Sequence, residues 1–128
     1  MDKPFEDHGL FSWSELMTPD FDQSCRFYES MFGWKLKEVP GRNGSRYALA
    51  TSNNASKPFA GILTLDDNDI RAHWRTYVTV DCVEETLRKA ELVGGAVLVP
   101  VTIIERVGKM AVIEDPCGAI ISVIEYGS

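Results

Sequence analysis

The residues most able to do chemistry lie on two short stretches that share one arrangement. The stretches are "SWSELMTPD" at residues 12–20 and "HWRTYVTVD" at residues 73–81, and in each a tryptophan lies seven residues before an aspartate. Both stretches read as strands, in which alternate side chains point to the same face. The faces that carry the tryptophans hold Trp13, Glu15 and Met17 in the first strand and Trp74, Thr76 and Val78 in the second.

Indole rings beside a carboxylate and a hydroxyl suit an apolar or aromatic ligand that has one or two polar groups. Glu15 would receive a donor from that ligand or act as a general base, because burial raises the pKa of an uncompensated carboxyl. Two simpler interpretations stay open. The tryptophans could only fill a closed cavity, and Glu15 could form a structural ion pair with Arg46 or Lys109.

An internal repeat places these strands in matching surroundings. An offset of 61 residues brings Asp20 onto Asp81 and Gly33 onto Gly94, together with the two tryptophans. A Gln or Glu follows each aspartate after three residues, which is the spacing of a capping box. We therefore predict that Asp20 and Asp81 each cap a helix, and that the two glycines end those helices in a left-handed conformation.

Three strand-like runs follow each predicted helix, so each half has the order βαβββ. The runs are Trp34–Val39, Arg46–Thr51 and Phe59–Leu65 in the first half and Ala96–Thr102, Lys109–Ile113 and Ala119–Glu125 in the second. The sequence thus predicts an α+β fold with units at residues 11–65 and 73–126, making one domain over residues 1–128. One such unit leaves an apolar sheet face, so the halves should pair within the chain or across a homodimer.

The duplicated unit and three motifs resemble the vicinal oxygen chelate superfamily, which contains glyoxalase I, bleomycin-resistance proteins and extradiol dioxygenases. The motifs are "TPDFDQSCRFYESMFGW", "VDCVEETLRKAELVGG" and "DPCGAIISVIE". The resemblance runs from about Phe11 to Tyr126 and looks closest to the glyoxalase-like branch. It implies an incomplete barrel of two βαβββ units with a small-molecule site on its concave surface, where the enzymes hold a divalent metal that chelates two substrate oxygens.

The resemblance also implies where metal ligands would lie. One position comes seven residues before each helix-capping aspartate, and another comes seven residues after the Asp of the "DPxG" turn. Here these positions hold Trp13, Trp74 and Ser122, and the 61-residue offset maps Ser122 back to Gly61 as the fourth position. Indole has no lone pair available for a metal, glycine has no side chain, and a neutral hydroxyl is a poor ligand alone. We therefore expect no metal and no other cofactor.

Nearby histidines do not restore the predicted metal site. His73 is one residue from the ligand position and so would point to the opposite face of its strand. His8 precedes the first strand, and Glu15 alone is a weak site for a transition metal. Lys109, after Gly108, resembles a "G(K/R)" element of this branch that faces the mouth of the pocket, although a surface lysine is the simpler interpretation.

Composition narrows the classes of partner. The net charge of -6 makes nucleic acid or an anionic membrane an unexpected partner. No apolar stretch reaches the length that crosses a bilayer, and the N-terminus lacks the apolar region of a signal peptide. The three cysteines, Cys25, Cys82 and Cys117, form neither a zinc pattern nor a disulfide framework. These features predict a reduced, cytoplasmic protein.

Two functions from different classes follow. The first is a protein that binds a small apolar or aromatic molecule without a metal, using Trp13, Met17, Trp74, Thr76, Ser122 and Lys109, with Glu15 as the candidate catalytic base if a reaction occurs. The second is a metal-dependent lyase, isomerase or dioxygenase of the glyoxalase type, which depends on likeness of fold alone. Neither the ligand nor the presence of a reaction follows from the sequence.

Overall fold

The computed structural model describes residues 7–41, 44–65, 71–104 and 107–127. The chain divides into two compact units. We call Trp13–Arg75 the N-terminal unit, and we call the residues before Trp13 together with those after Arg75 the C-terminal unit. The prediction that residues 1–128 make one domain stays a prediction.

The first half of the chain forms the βαβββ order that the sequence predicts. Its elements are β1 (Phe11–Thr18), α1 (Phe21–Phe32), β2 (Lys35–Pro40), β3 (Arg46–Thr51) and β4 (Ala60–Thr64). The strands lie in the order β2-β3-β4-β1. β1 runs parallel to β4, and the other neighbours are antiparallel.

The second half repeats this arrangement, which confirms the predicted α+β class with two βαβββ units. Its elements are β5 (His73–Thr79), α2 (Val83–Leu92), β6 (Ala96–Ile104), β7 (Gly108–Glu114) and β8 (Ile120–Tyr126). The strands lie in the order β5-β8-β7-β6, with β5 parallel to β8. At 12 and 10 residues, neither helix of the described residues could span a membrane.

The start and end of α1 follow the prediction. The side chain of Asp20 accepts a hydrogen bond from the amide of Gln23 at 3.1 Å, and Gly33 ends the helix in the left-handed region with φ 69°. The helix buries Phe21 against Leu16 and Ile62 in the core of the N-terminal unit. Leu16 and Ile62 therefore lie on the sheet face that α1 covers. Their neighbours along the strands point to the opposite face, because side chains alternate along a strand.

The start of α2 corrects the prediction that Asp81 caps it. The N-cap is Cys82, one residue later, and its side chain makes no capping hydrogen bond. The carboxylate of Glu125 on β8 instead accepts from the amide of Val83 at 2.9 Å. A carboxylate at this end of a helix also interacts favourably with the helix dipole. The helix is therefore capped by a distant strand rather than by its own capping box.

Arg46 joins α1 to the β2–β3 pair of the N-terminal unit. Its Nε donates to Glu38 at 2.8 Å, its Nη1 donates to Asp22 at 3.0 Å, and its guanidinium lies 4.3 Å from the centre of the Phe21 ring. The hydrogen bonds from Arg46 lower the pKa of both carboxyls, from ordinary values of 3.8 for Asp22 and 4.5 for Glu38. A lowered carboxyl pKa stabilises the folded protein at any pH above the ordinary pKa of the group. This stabilisation is lost as the pH falls through the lowered pKa of the folded state.

Replacing Arg46 by glutamine should therefore lower the melting temperature at pH 7, with a smaller loss at pH 3, because pH 3 lies below the ordinary pKa of both carboxyls and the unfolded chain then gains protons. Thermal unfolding followed by circular dichroism at pH 7, 5, 4 and 3 measures the difference between the two proteins. Arg88→Gln is the control, because Arg88 makes an exposed pair with Glu85 within a single helix. A loss for Arg46→Gln that stays constant across this pH range would contradict the prediction.

Candidate functional site

Three polar or aromatic side chains form a hydrogen-bonded chain on the N-terminal unit. Tyr47 donates its hydroxyl proton to Glu15 Oε2 at 2.6 Å, and Trp13 Nε1 donates to the Tyr47 oxygen at 3.2 Å. Indole can only donate, which fixes the direction of the bond from Trp13. Trp13, Glu15 and Tyr47 are half-buried and lie on the sheet face that points away from α1.

Gly61 leaves the space that the Tyr47 ring occupies. Gly61 pairs with Glu15 across the parallel strands, and a Cβ at this position would lie 1.9 Å from the Tyr47 oxygen and 2.4 Å from its Cζ. No side chain at position 61 is compatible with this placement of Tyr47. Tyr47 was not among the residues predicted for the site. A glycine within an otherwise apolar strand was the available signal of a close approach.

The two cations considered as partners of Glu15 bind other carboxylates. Arg46 binds Glu38 and Asp22, as described above, and Lys109 Nζ lies 3.0 Å from Glu84 Oε2. That hydrogen bond raises the pKa of Lys109 and lowers the pKa of Glu84. Lys109 therefore ties β7 to the first turn of α2, and its predicted place at the mouth of a pocket stays a prediction.

The register of β5 corrects the predicted match between Trp13 and Trp74. In the first half Glu15 pairs with Gly61, whereas in the second half Tyr77 pairs with Ser122. Tyr77 is therefore the counterpart of Glu15, and the residue two before it, Arg75, is the counterpart of Trp13. The repeat offset is 62 at β5 and 61 at β8, so one extra residue shifts every side chain of β5 to the other face.

Trp74 consequently lies on the face of β5 opposite to Tyr77, the residue that pairs with Ser122. It belongs instead to an aromatic cluster at α1. Its Nε1 donates to the Tyr28 hydroxyl at 3.1 Å, and its ring lies edge-on to Trp34 with centroids 6.0 Å apart. The cluster continues through Phe32 and Phe59, which contact Trp34. The side chain of Phe32 is 56% exposed. Trp74 is 37% exposed and thus packs at a surface.

The remaining predicted residues are placed as follows. Met17 is buried and shares the strand face of Glu15, as predicted. Thr76 is exposed and shares the strand face of Trp74, as predicted. Ser122 has no exposed surface, and within the described part of the chain its hydroxyl has no hydrogen-bond partner.

The corrected register brings Arg75 into the set of positions at which the resemblance implies metal ligands. The set is then Trp13, Gly61, Arg75 and Ser122, and none of these side chains is a good metal donor. Cys82, Glu84 and Glu125 have ligand atoms within 4.8 Å of one another elsewhere. Both carboxylates of this group already have partners: Glu84 accepts from Lys109, and Glu125 accepts from the amide of Val83. The residues at the implied positions do not fit a divalent metal.

Comparisons with known proteins agree with this fold. Residues 10–123 match the family model of the Glyoxalase/Bleomycin resistance protein/Dioxygenase superfamily. The Mycobacterium bovis protein named Putative glyoxylase CFP32 is 32% identical over 117 residues, covering 91% of this chain and 44% of that protein. The anthracycline biosynthesis protein DnrV of Streptomyces peucetius is 27% identical over 135 residues, covering 93% of this chain and 48% of that protein. The chain thus spans about half the length of these curated relatives.

Solved structures with the same fold have little sequence in common with this chain. Methylmalonyl-CoA epimerase from Mycobacterium tuberculosis matches with a TM-score of 0.68 at 15% identity, covering 100% of this chain and 94% of the epimerase. A variant of the Streptomyces coelicolor epimerase, in complex with 2-nitronate-propionyl-CoA, matches with a TM-score of 0.68 at 13% identity, covering 95% of this chain and 100% of the variant. At these identities the likeness concerns the fold alone.

Proposed function

Because the chain belongs to the Glyoxalase/Bleomycin resistance protein/Dioxygenase superfamily, we propose that it binds a small apolar or aromatic molecule without a resident metal ion. The hydrogen-bonded chain of Trp13, Tyr47 and Glu15 over Gly61 carries this proposal. In it, the Tyr47 ring takes the space into which a metal ligand at position 61 would project.

The chemistry of this chain suits recognition of an organic ligand. The Tyr47 hydroxyl fixes the orientation of the Glu15 carboxylate, and such preorganisation lowers the entropic cost of binding. The indole of Trp13 offers apolar surface beside it. We assign contacts with the ligand to Trp13 and Met17 and keep Glu15 as the candidate base if a reaction occurs.

The names of similar proteins are consistent with a small organic ligand. One relative is named for anthracycline biosynthesis, and one structural neighbour holds a coenzyme A derivative. The alternative, a metal-dependent lyase, isomerase or dioxygenase, is favoured by the relative named as a glyoxylase. It is disfavoured by the side chains at the four implied ligand positions, which lack good metal donors.

Elemental analysis and ligand titration test the proposal together. We expect less than stoichiometric Zn, Ni, Mn and Fe in the purified protein, and quenching of tryptophan fluorescence by 2-naphthamide, 2-naphthoate or daunorubicin. Removing the Tyr47 hydroxyl in Tyr47→Phe should weaken binding by about 5- to 10-fold, the effect of one hydrogen bond of roughly 1 kcal/mol.

Tyr126→Phe is the matched control for Tyr47→Phe, because Tyr126 is a half-buried strand tyrosine whose hydroxyl bonds Ser12 at 2.8 Å. This variant should bind with unchanged affinity. A stoichiometric metal in the wild-type protein, or no binding of any of the three probes, would contradict the proposal.

The quaternary state and location complete the proposal. We propose a homodimer, since a short chain of two sheet-bearing units commonly pairs, and a cytoplasmic location, since the three cysteines are free thiols. Sedimentation equilibrium that finds only monomer at micromolar concentrations would contradict the dimer.

A further inference from the structure

Arg75 is a half-buried cation with an unsatisfied donor. It lies on β5, and its Nε is a buried atom without a hydrogen-bond acceptor among residues 7–41, 44–65, 71–104 and 107–127. Two other described arginines differ in this respect: Arg46 binds two carboxylates and Arg88 binds one. Arg75 also shares the strand face of Tyr77, because it lies two residues before it.

An unpartnered guanidinium nitrogen is unfavourable in a folded protein. A buried donor that lacks an acceptor costs about 1–3 kcal/mol, and more when the group is charged. An acceptor supplied from outside the chain would remove this cost.

We propose that Arg75 binds an oxyanion of the ligand, a carboxylate or a phosphate group. The inference rests on the proposed function and specifies the class of ligand as an organic acid. A guanidinium repels a divalent metal and attracts an anion, and its planar fork matches the two oxygens of a carboxylate or phosphate. Arg75 is the counterpart of Trp13 in the second repeat, so the two repeats present different chemistry at equivalent positions.

The net charge of -6 strengthens the requirement for a specific cation. An acidic protein repels anions at long range, so an anionic ligand needs a local positive group with donors in fixed positions. Arg75 offers such a group, since its Nε donor is not taken by a carboxylate within the described residues.

A pair of probes that differ in one charge tests the proposal. Isothermal titration should find that 2-naphthoate binds the wild-type protein about 10- to 100-fold more tightly than 2-naphthamide, the range for hydrogen bonds to a charged group. Arg75→Gln should remove this preference, and Arg75→Lys should keep part of it. Arg26→Gln removes an exposed arginine of α1 and should leave the preference unchanged.

Thermal unfolding supplies a readout that does not require the aromatic ring. Phosphate, compared with chloride at equal ionic strength, should raise the melting temperature of the wild type more than that of Arg75→Gln. In chloride, Arg75→Met should melt no lower than the wild type, because the variant no longer buries an unpartnered donor of a charged group. A clearly lower melting temperature for Arg75→Met would identify Arg75 as a structural residue and overturn the proposal.

The two sets of measurements separate failure of this inference from failure of the proposed function. Equal binding of the naphthoate and the naphthamide would contradict the role of Arg75 and leave the proposed function in place. No binding of either, with phosphate protection that depends on Arg75, would support the anion site and contradict aromatic binding. No binding and no such protection would overturn both.

Discussion

Replacing Gly61 by alanine is expected to lower the free energy of unfolding by about 2–3 kcal/mol. The new methyl group would lie 1.9 Å from the Tyr47 oxygen and 2.4 Å from its Cζ, so the tyrosine ring must move. Moving it breaks the hydrogen bonds to Glu15 and from Trp13. Urea denaturation followed by circular dichroism measures the loss.

A double-mutant cycle identifies the ring of Tyr47 as the cause. Adding Tyr47→Ala to Gly61→Ala should recover most of the loss attributable to the clash, because the methyl group then has space. Tyr47→Phe should recover little, since the ring carbon Cζ remains within 2.4 Å of the new methyl group. Additive effects of Gly61→Ala and Tyr47→Ala would contradict the packing described here.

The same packing links stability to the absence of a metal ligand at position 61. A His, Glu or Gln there would need the space of the Tyr47 ring. A metal site would also require a metal-binding residue in place of Trp13. A single substitution at position 61 would therefore destabilise the N-terminal unit before it could contribute a ligand. The proposed metal-free function is thus consistent with the packing on this face of the sheet as well as with the residue types.

Local signals in the sequence predicted most of the secondary structure. Asp20 caps the start of α1 and Gly33 ends the helix, as expected, because a cap and a left-handed glycine act through neighbouring backbone groups. Asp81 has the same local pattern and fails to cap α2, because the helix begins one residue later and Glu125 reaches its first turn from β8. A cap from a distant strand has no signature near the helix.

The one-residue shift had its largest effect on the predicted site. Side chains alternate along a strand, so an error of one residue exchanges the two faces of β5. The predicted site therefore included Trp74, which contacts Tyr28, in place of Arg75. Glu15 and Met17 were correctly predicted to share one face of β1. That prediction needs only the alternation of side chains within one strand and does not depend on the repeat offset. Tyr47 was not recognised, since its bond to Glu15 joins residues far apart in sequence.

A second glycine gives the largest loss of stability that we expect. Gly108 is buried at the start of β7 and adopts φ 151°, a conformation that side chains rarely take. A Cβ there would lie 1.9 Å from the backbone oxygen of Glu125 and 3.1 Å from the Cα of Tyr126. Gly108→Ala must therefore separate β7 from β8, and the free energy of unfolding should fall by about 4 kcal/mol or more.

Gly118→Ala is the control that separates backbone strain from the clash. Gly118 has φ 96° in the "DPCG" turn, and a Cβ there would meet no atom within 4 Å. Its substitution should cost only the strain of the backbone conformation, about 1–3 kcal/mol. Gly108→Ala, unlike Gly61→Ala, meets backbone atoms, so no change of a neighbouring side chain should restore its stability. Equal losses for Gly108→Ala and Gly118→Ala in urea denaturation would show that β7 can move away from Glu125 at little cost, contrary to this expectation.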